Sequence, residues 1–480
     1  MNIKPVLYVI GVFLMLQGAV TVIPGIYDLF AQGSGGPGFL ICAAVTFTTG
    51  AVMSALTRAA LFRLDPRQIF LLTTLCWLMV SAFGALPFMV VHDMSFTDAF
   101  FETMSGVTTT GSTVITNLAE VNKGILLWRS LLQWLGGIGF IVMAVAILPF
   151  LKVGGMRLFQ SESSDWSDKI MPRSGSIAKR IVGVYVALSV LCTIGYLMGD
   201  MNLFDAINHA MTTLSTGGYS TYDASIGHFN SYFVYWTGTI FMLLGSMPFV
   251  LFVKLCKDGS MDLFHDSQVQ TLVYFMLAVW AIMTLWLVVA EDWTFFHALT
   301  LVAFNTSSVV STTGFALSDY AIWSLFTTSL FFFLMFVGGC SGSTAGGLKI
   351  FRLQIGFNLL RLQLTQSTHP RAFLIQRYNG QEITNDILRS LVAFSFFYGL
   401  MIALMTVMLS ALGLDLITSL TGSITAVSNV GPGLGAIVGP AGNFIPLPDT
   451  AKWILSLGML MGRLEILTVL VLFTPSFWRN

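Results

Sequence analysis

A five-residue pattern occurs four times in this 480-residue chain: TTTGS at 108–112, STGGY at 215–219, STTGF at 311–315 and SNVGP at 428–432. Aligned, the copies put Gly111, Gly218, Gly314 and Gly431 in one column. Thr110, Gly217, Thr313 and Val430 stand before them, and Thr109, Thr216, Thr312 and Asn429 one place earlier. The glycines recur after 107, 96 and 117 residues, a regularity that signals internal duplication. One copy alone reads as a turn. Four copies in the same setting do not: each follows a long apolar segment and a short one, and precedes a polar stretch and a second long apolar segment. The chain therefore has to fold as four similar units that contribute one glycine each.

The long segments belong in a bilayer, because 55% of the residues are hydrophobic and 10% charged, against roughly 25% charged in soluble domains. Ten runs are long enough to cross ~30 Å of hydrocarbon as helices: about 5–30, 39–60, 68–91, 125–150, 179–199, 231–256, 269–290, 321–347, 387–412 and 450–473. The first resembles a secretory signal, but it outruns the ~7–15 residues of a signal core and a second run follows at once. With the N terminus in the cytoplasm, all of the 23 Lys and Arg fall on that side except Lys123, Arg129, Lys452 and Arg463. One span more or fewer would move several basic loops across, so the positive-inside rule points to ten crossings with both termini cytoplasmic. The expected fold is an all-α integral membrane protein. An N-terminal helical pair (1–65) precedes four pseudo-symmetric units of helix, re-entrant pore loop and helix around a central pore, at 66–152, 175–258, 266–366 and 384–480.

The short apolar segments at about 98–108, 205–215, 301–311 and 417–428 cannot span, since eleven helical residues reach only ~16 Å. They should enter from the outer side and return, and irregular backbone at that depth has to face protein or a polar cavity rather than lipid. Asp98 and Asp205 near the first two starts either cap the helices or attract ions. The aligned positions of the other two units lack an aspartate, which argues against a four-fold acidic ring. A helix that stops in mid-membrane aims its partially negative C-terminal end at the centre. Glycine beyond it lets carbonyl oxygens turn inward, and rings of carbonyls can replace the water shell of a monovalent cation. The Thr109, Thr216 and Thr312 hydroxyls add a possible lower ring, with Asn429 breaking the symmetry.

Two other features sit at membrane depth. Gly338, Gly339, Cys340, Ser341, Gly342, Ser343, Thr344, Ala345, Gly346 and Gly347 interrupt the eighth apolar run, and half of them are glycine, at ~1 kcal/mol each in a helix. The stretch is either a small-residue packing surface or a broken loop lying across the pore. Arg463 lies in the last run, where insertion costs ~2.5–3.5 kcal/mol. Either Glu465 or freed carbonyls neutralise it, although two positions apart on a helix make a poor pair, or its charge stands beside a conduction path as a barrier.

Other classes are disfavoured. Zero net charge implies no nucleic-acid surface, and no nucleophile with a base, metal-ligand histidine pair or carboxylate dyad occurs at depth. Cys42, Cys76, Cys192, Cys256 and Cys340 are scattered and read as buried apolar thiols, and the six histidines form no cluster.

These features resemble the superfamily of bacterial Trk and Ktr and plant HKT cation transporters over nearly the whole chain, with the N-terminal pair resembling the Trk branch. Matching stretches are WLGGIGF at 134–140, DASIG at 223–227, GGCSGSTAGGLK at 338–349, NVGPGLG at 429–435 and GRLE at 462–465. The resemblance implies K⁺ uptake through a gated, channel-like path in the bacterial inner membrane. The ring stretches would form the K⁺ filter, and glycine in all four units favours K⁺ over Na⁺. Residues 338–347 would be an intramembrane gating loop and Arg463 part of the gate. It also implies a homodimer working with a cytoplasmic nucleotide-binding regulatory subunit of TrkA type, docked on the basic stretches 151–180 and 349–389. The chain has no dinucleotide fingerprint, so no cofactor is expected on it and any nucleotide would bind the partner. A Na⁺- or H⁺-coupled symporter is the alternative, disfavoured because the four units share one orientation whereas such carriers place their site between inverted repeats.

Overall fold

The structure, a computed structural model, describes residues 2–58, 65–146, 174–369, 377–378 and 381–479. The ends expected for the second and fourth spans, and most of the basic stretch 151–180, lie outside these. The described chain is almost wholly helical: α1 (Lys4–Phe30), α2 (Gly36–Thr57), α3 (Pro66–Gly84), α4 (Leu86–His92), α5 (Phe96–Val107), α6 (Lys123–Ala146), α7 (Ser174–Met198), α8 (Leu203–Leu214) and α9 (Tyr232–Gly245). There follow α10 (Phe249–Asp258), α11 (Ser267–Ala290), α12 (Phe295–Val310), α13 (Leu325–Leu334), α14 (Ile350–Thr368), α15 (Asn385–Ala411), α16 (Leu416–Ser428), α17 (Asp449–Arg463) and α18 (Ile466–Leu470). A two-stranded hairpin, Arg377–Tyr378 with Gln381–Glu382, joins α14 to α15.

Glycine spacing sets the N-terminal pair. Gly11, Gly18 and Gly25 recur every seven residues, which keeps them on one stripe of α1, and the α2 backbone lies directly on that stripe. A Cβ on Gly11 would come within 2.8 Å of the Gly50 carbonyl oxygen, and one on Gly50 within 2.5 Å of that of Gly11. Small residues permit this approach where no hydrophobic effect drives helices together. On the lipid side the same helices carry Leu16, Ile23, Ile41 and Val52, all more than half or about half exposed.

Among the described residues seven helices are long and apolar enough to cross a membrane uninterrupted, against the ten runs expected. Two further spans are bent: α9 meets α10 at 93°, and α17 meets the segment Ile466–Phe473 at 113°. The first break is at Pro248, which has no N–H to continue the ladder. The second is at Glu465, held at φ 60°. In the eighth run the α-helix covers Leu325–Leu334, after a 3-10 turn at Tyr320–Ile322, and the glycine-rich stretch that follows is not helical. Periodicity reports burial and not continuity, which is why the breaks at Pro248 and Glu465 do not show in the apolar pattern, whereas the glycines of 338–347 do.

The four short helices α5, α8, α12 and α16 form the interior. From Ala99 to Val107 every residue of α5 is buried, and from Asn208 to Leu214 so is every residue of α8. Ser95, Asn202 and Asp415 cap α5, α8 and α16 by accepting from the amides of Asp98, Asp205 and Thr418; Thr294 makes no such bond on α12. Asp98 and Asp205 therefore do not cap, contrary to expectation. Three positions into their helices, they brace other side chains: Asp98 accepts from Lys452 at 2.6 Å, and Asp205 from Thr221 and Tyr222 at 2.8 and 3.1 Å. α12, at sixteen residues, begins earlier than its sequence pattern suggested. Of the cysteines Cys42, Cys192 and Cys340 are buried, Cys76 is half-buried and Cys256 is exposed, which corrects the uniform reading.

Candidate cation site

The four short helices end in the same way. The first residue past the terminal turn is left-handed in each: Thr109 (φ 54°), Thr216 (51°), Thr312 (57°) and Asn429 (57°). The next amide reaches back five residues, Thr110 N to Ser105 O at 2.8 Å, Gly217 N to Thr212 O at 2.9 Å, Thr313 N to Ser308 O at 2.8 Å and Val430 N to Thr425 O at 3.0 Å. This is the Schellman closure, usually made by glycine. Three β-branched threonines in a region such residues avoid constitute local strain, which persists where surroundings over-determine it and concentrates at functional sites.

The closure turns the backbone so that each glycine abuts a neighbouring unit. A Cβ on Gly111 would lie 2.3 Å from the Gly217 carbonyl oxygen, one on Gly218 1.9 Å from that of Thr313, one on Gly314 2.2 Å from that of Val430, and one on Gly431 2.6 Å from that of Thr110. The series runs from unit one to two, three, four and back to one. It closes into a ring, and no side chain fits at any of its four glycines, whose φ values of 89°, 76°, 83° and 101° also require glycine. The structure thus brings together Thr110, Gly111, Gly217, Gly218, Thr313, Gly314, Val430 and Gly431. Helix C-termini and carbonyls together make the ring electronegative without any formal charge. Among the described residues no group of carboxylate, histidine and cysteine side chains is placed to hold a metal ion, so the oxygens available are those of the backbone and hydroxyls.

The residues one place earlier are less uniform than expected. The Thr216 hydroxyl bonds its neighbour's carbonyl, Ser215 O, at 2.7 Å, while that of Thr312 accepts from Gly346 N at 2.7 Å. Asn429 Nδ2 donates to Thr110 Oγ1 and Met459 O at 3.0 and 2.9 Å. An equivalent ring of free hydroxyls is therefore not built.

Sequence reasoning missed the braces. Glu102 on α5 and Arg129 on α6 form a buried ion pair at 2.8 Å. Glu102 also accepts from Thr113 Oγ1 and Val114 N, and Arg129 Nη1 donates to Ser220 O at 2.9 Å. The pair thereby joins the chain leaving unit one to that leaving unit two. The Tyr219 hydroxyl donates to Glu102 O at 2.7 Å. Gln133, one turn beyond Arg129, donates from Nε2 to Gly217 O at 2.6 Å. Arg129 and Gln133, four apart in an apolar run, share a helix face, and that spacing was the available signal.

The glycine-rich stretch lies directly against the ring. Val337 pairs with Leu348 to close its neck, and a Cβ on Gly338 would lie 2.0 Å from Gly346 O. Gly338 N donates to Leu348 O at 2.9 Å, Cys340 N donates to Ser246 O at 2.8 Å, Gly342 O accepts from Phe249 N at 3.0 Å, and Ser341 N donates to Gln268 Oε1 at 2.9 Å. The Thr344 hydroxyl bonds Leu214 O and Gly245 O at 3.1 and 2.9 Å. A Cβ on Gly346 would meet Ser428 O at 2.3 Å, and one on Gly339 would meet Ala345 and Ser246. The Ser343 hydroxyl folds back on Cys340 O, and Gly347 is left-handed at φ 66°. Residues 338–347 thus contact units two, three and four next to the ring, seated in the break between α9 and α10.

Arg463 holds this loop from the last span. Its Nη1 donates to Thr344 O at 2.7 Å, its Cζ stands 4.0 Å from the centroid of the Phe140 ring, and it is 1% exposed. Nε and Nη2 have no hydrogen-bond partner among the described residues. Glu465 does not neutralise it; that carboxylate pairs with Arg352, at the start of α14, at 2.5 Å. A freed carbonyl does accept from Arg463, and most of its charge stays unbalanced. Lys349 donates to Ala345 O, and its Nζ lies 5.5 Å from the centroid of the same Phe140 ring.

Comparison with known proteins agrees with this geometry over the full length. The sequence matches the TrkH family, described as cation transport proteins, over residues 35–480. It is 48% identical to the Trk system potassium uptake protein TrkI of Halomonas elongata over 478 residues, covering 99% of this chain and 97% of that one. Against the Trk system potassium uptake protein TrkH of Escherichia coli K12 identity is 34% over 495 residues, with both chains fully covered. The crystal structure of the potassium transporter TrkH from Vibrio parahaemolyticus superposes with a TM-score of 0.93 at 32% identity, covering all of both chains. The chain belongs to the TrkH family of multi-pass membrane proteins, which are cation transporters and not enzymes.

Proposed function

We propose that this protein takes up K⁺ across the bacterial inner membrane, through a gated pore whose filter is the ring of carbonyls around Gly111, Gly218, Gly314 and Gly431. The observation that carries the reading is the closure of that ring. Each glycine admits the carbonyl of the next unit at a distance where a side chain would collide, and a set of backbone oxygens on one axis is the chemistry that replaces a dehydrated alkali ion's water. Relatives over the whole length are named as potassium uptake proteins. The loop 338–347 is the gate: it sits under the ring, pinned by Thr344 and Gly346, with the Arg463 charge beside it repelling cations. The same reading has both termini in the cytoplasm and a homodimer. The basic stretches 151–180 and 349–389 then receive a TrkA-type subunit that carries the nucleotide; of these, 151–173, 370–376 and 379–380 lie outside the described residues.

The test is ⁸⁶Rb⁺ uptake into vesicles holding the purified chain, with K⁺ and Na⁺ as competitors. K⁺ should compete far better than Na⁺. Equal competition would remove the filter reading, and no uptake under an imposed gradient by protein lacking residues 340–345 would remove the gate.

A further inference from the structure

Three of the four ring carbonyls, those of Thr110, Thr313 and Val430, accept no hydrogen bond among the described residues. The fourth, Gly217 O, accepts one at 2.6 Å from Gln133 Nε2. The Gln133 side chain is fully buried, and its Oε1 accepts from Tyr219 N at 3.0 Å, so both ends of the amide are fixed. The sequence around the ring carries a matching irregularity. Units one, three and four place a side chain just before the ring glycine, whereas unit two has Gly217. Its φ is not in the left-handed region, so backbone conformation does not demand glycine. Space does: a Cβ on Gly217 would lie 2.4 Å from Gln133 Cδ and Oε1. Gln133 occupies the place that Thr110, Thr313 and Val430 fill with their own side chains.

We propose that Gln133 is a positioning residue that sets cation preference, resting on the reading of the ring as the filter. A carbonyl that already receives a short hydrogen bond offers less negative charge to an ion and swings less freely. One weaker, fixed ligand among four lowers the field strength of the ring. A lower field favours the alkali cation that is easier to dehydrate, K⁺ over Na⁺. The effect belongs to one quarter of the ring only, which a single chain permits.

The test compares Na⁺ and K⁺ as competitors of ⁸⁶Rb⁺ uptake in vesicles containing wild type, Gln133→Met and Gln133→Leu, with Gly111→Ser as a reference. Loss of the donor should strengthen Na⁺ competition relative to K⁺ by roughly three- to tenfold, the factor one hydrogen bond is worth. A uniform fall in uptake with the ratio unchanged would make Gln133 a brace and overturn the proposal. If Gly111→Ser shifts the ratio and the Gln133 variants do not, the proposal alone falls; if Gly111→Ser has no effect either, the filter reading falls with it. A second comparison holds even where those variants are poorly recovered. Gly217→Thr alone should abolish uptake, and adding Gln133→Ala should restore part of it by clearing the space. Full activity of Gly217→Thr alone, or no rescue by the pair, refutes the substitution of one side chain by the other.

Discussion

At Gly111 the hydrogen atom that stands in for a side chain faces the Gly217 carbonyl. Gly111→Ser forces that contact apart and adds a hydroxyl ligand, so under the proposed reading it should admit Na⁺; an unchanged Na⁺ to K⁺ permeability ratio in the vesicle assay would contradict it. Arg463 makes one hydrogen bond and leaves two nitrogens bare. Replacing it by Gln removes a charge beside the loop and should raise basal ⁸⁶Rb⁺ flux by about tenfold, the equivalent of ~1.4 kcal/mol in barrier; flux at or below wild type would show that the charge is no barrier. The ring glycines were legible in the sequence because duplication repeats a local pattern, and local patterns are what a sequence displays. Arg463 was legible as an anomaly, and the poor geometry of a pair two residues apart correctly discounted Glu465. The partner of Glu465 was not legible, since Arg352 lies 113 positions away in the chain, and neither was Gln133, whose meaning depends on a carbonyl 84 positions on.

Elements show a different division. The short helices were readable from length alone, because eleven or so apolar residues cannot cross. The interruptions of α9–α10 and α17–α18 were not: Pro248 was in plain view, but membrane helices tolerate proline where neighbours satisfy the freed groups, and here the glycine-rich loop does so by bonding Gly245 O and Ser246 O. Loop and helix break are therefore one unit. Deleting residues 340–345 should leave the ring intact and give constitutive flux, measured without any partner; a silent pore would mean that the loop supports the filter instead of closing it. At the opposite face Asp415 caps α16, and its hydrogen bonds from Thr418 hold its carboxyl below the usual value of 3.8. A carboxyl lowered by folding stabilises the native state above its unfolded pKa and loses that contribution as pH falls through the lower, folded value. Asp415→Ala should thus cost about 1 kcal/mol near neutrality, seen as a lower melting temperature in detergent, and the gap to wild type should narrow below pH ~4. A gap independent of pH would assign the loss to packing.

Over the whole molecule, long helices bury one face and turn the other outward, while a dense set of buried Ser, Thr and Asn side chains gathers where the four units meet. Closure of the ring makes its members interdependent. Alanine at Gly111, Gly218, Gly314 or Gly431 introduces a Cβ at 1.9–2.6 Å from a backbone oxygen, and each should reduce uptake more than about tenfold; one tolerant position would break the circle. The interlocking order also follows the order of the chain, each unit leaning on the next and the last on the first. In a pore assembled from four copies of one polypeptide, any change to the lining appears four times at once. Here a mutation alters one quadrant and spares three, so Asn429 can replace threonine, and Gly217 with Gln133 can replace a side chain, without duplicating the disturbance. Ion preference in such a protein is open to adjustment in quarter steps.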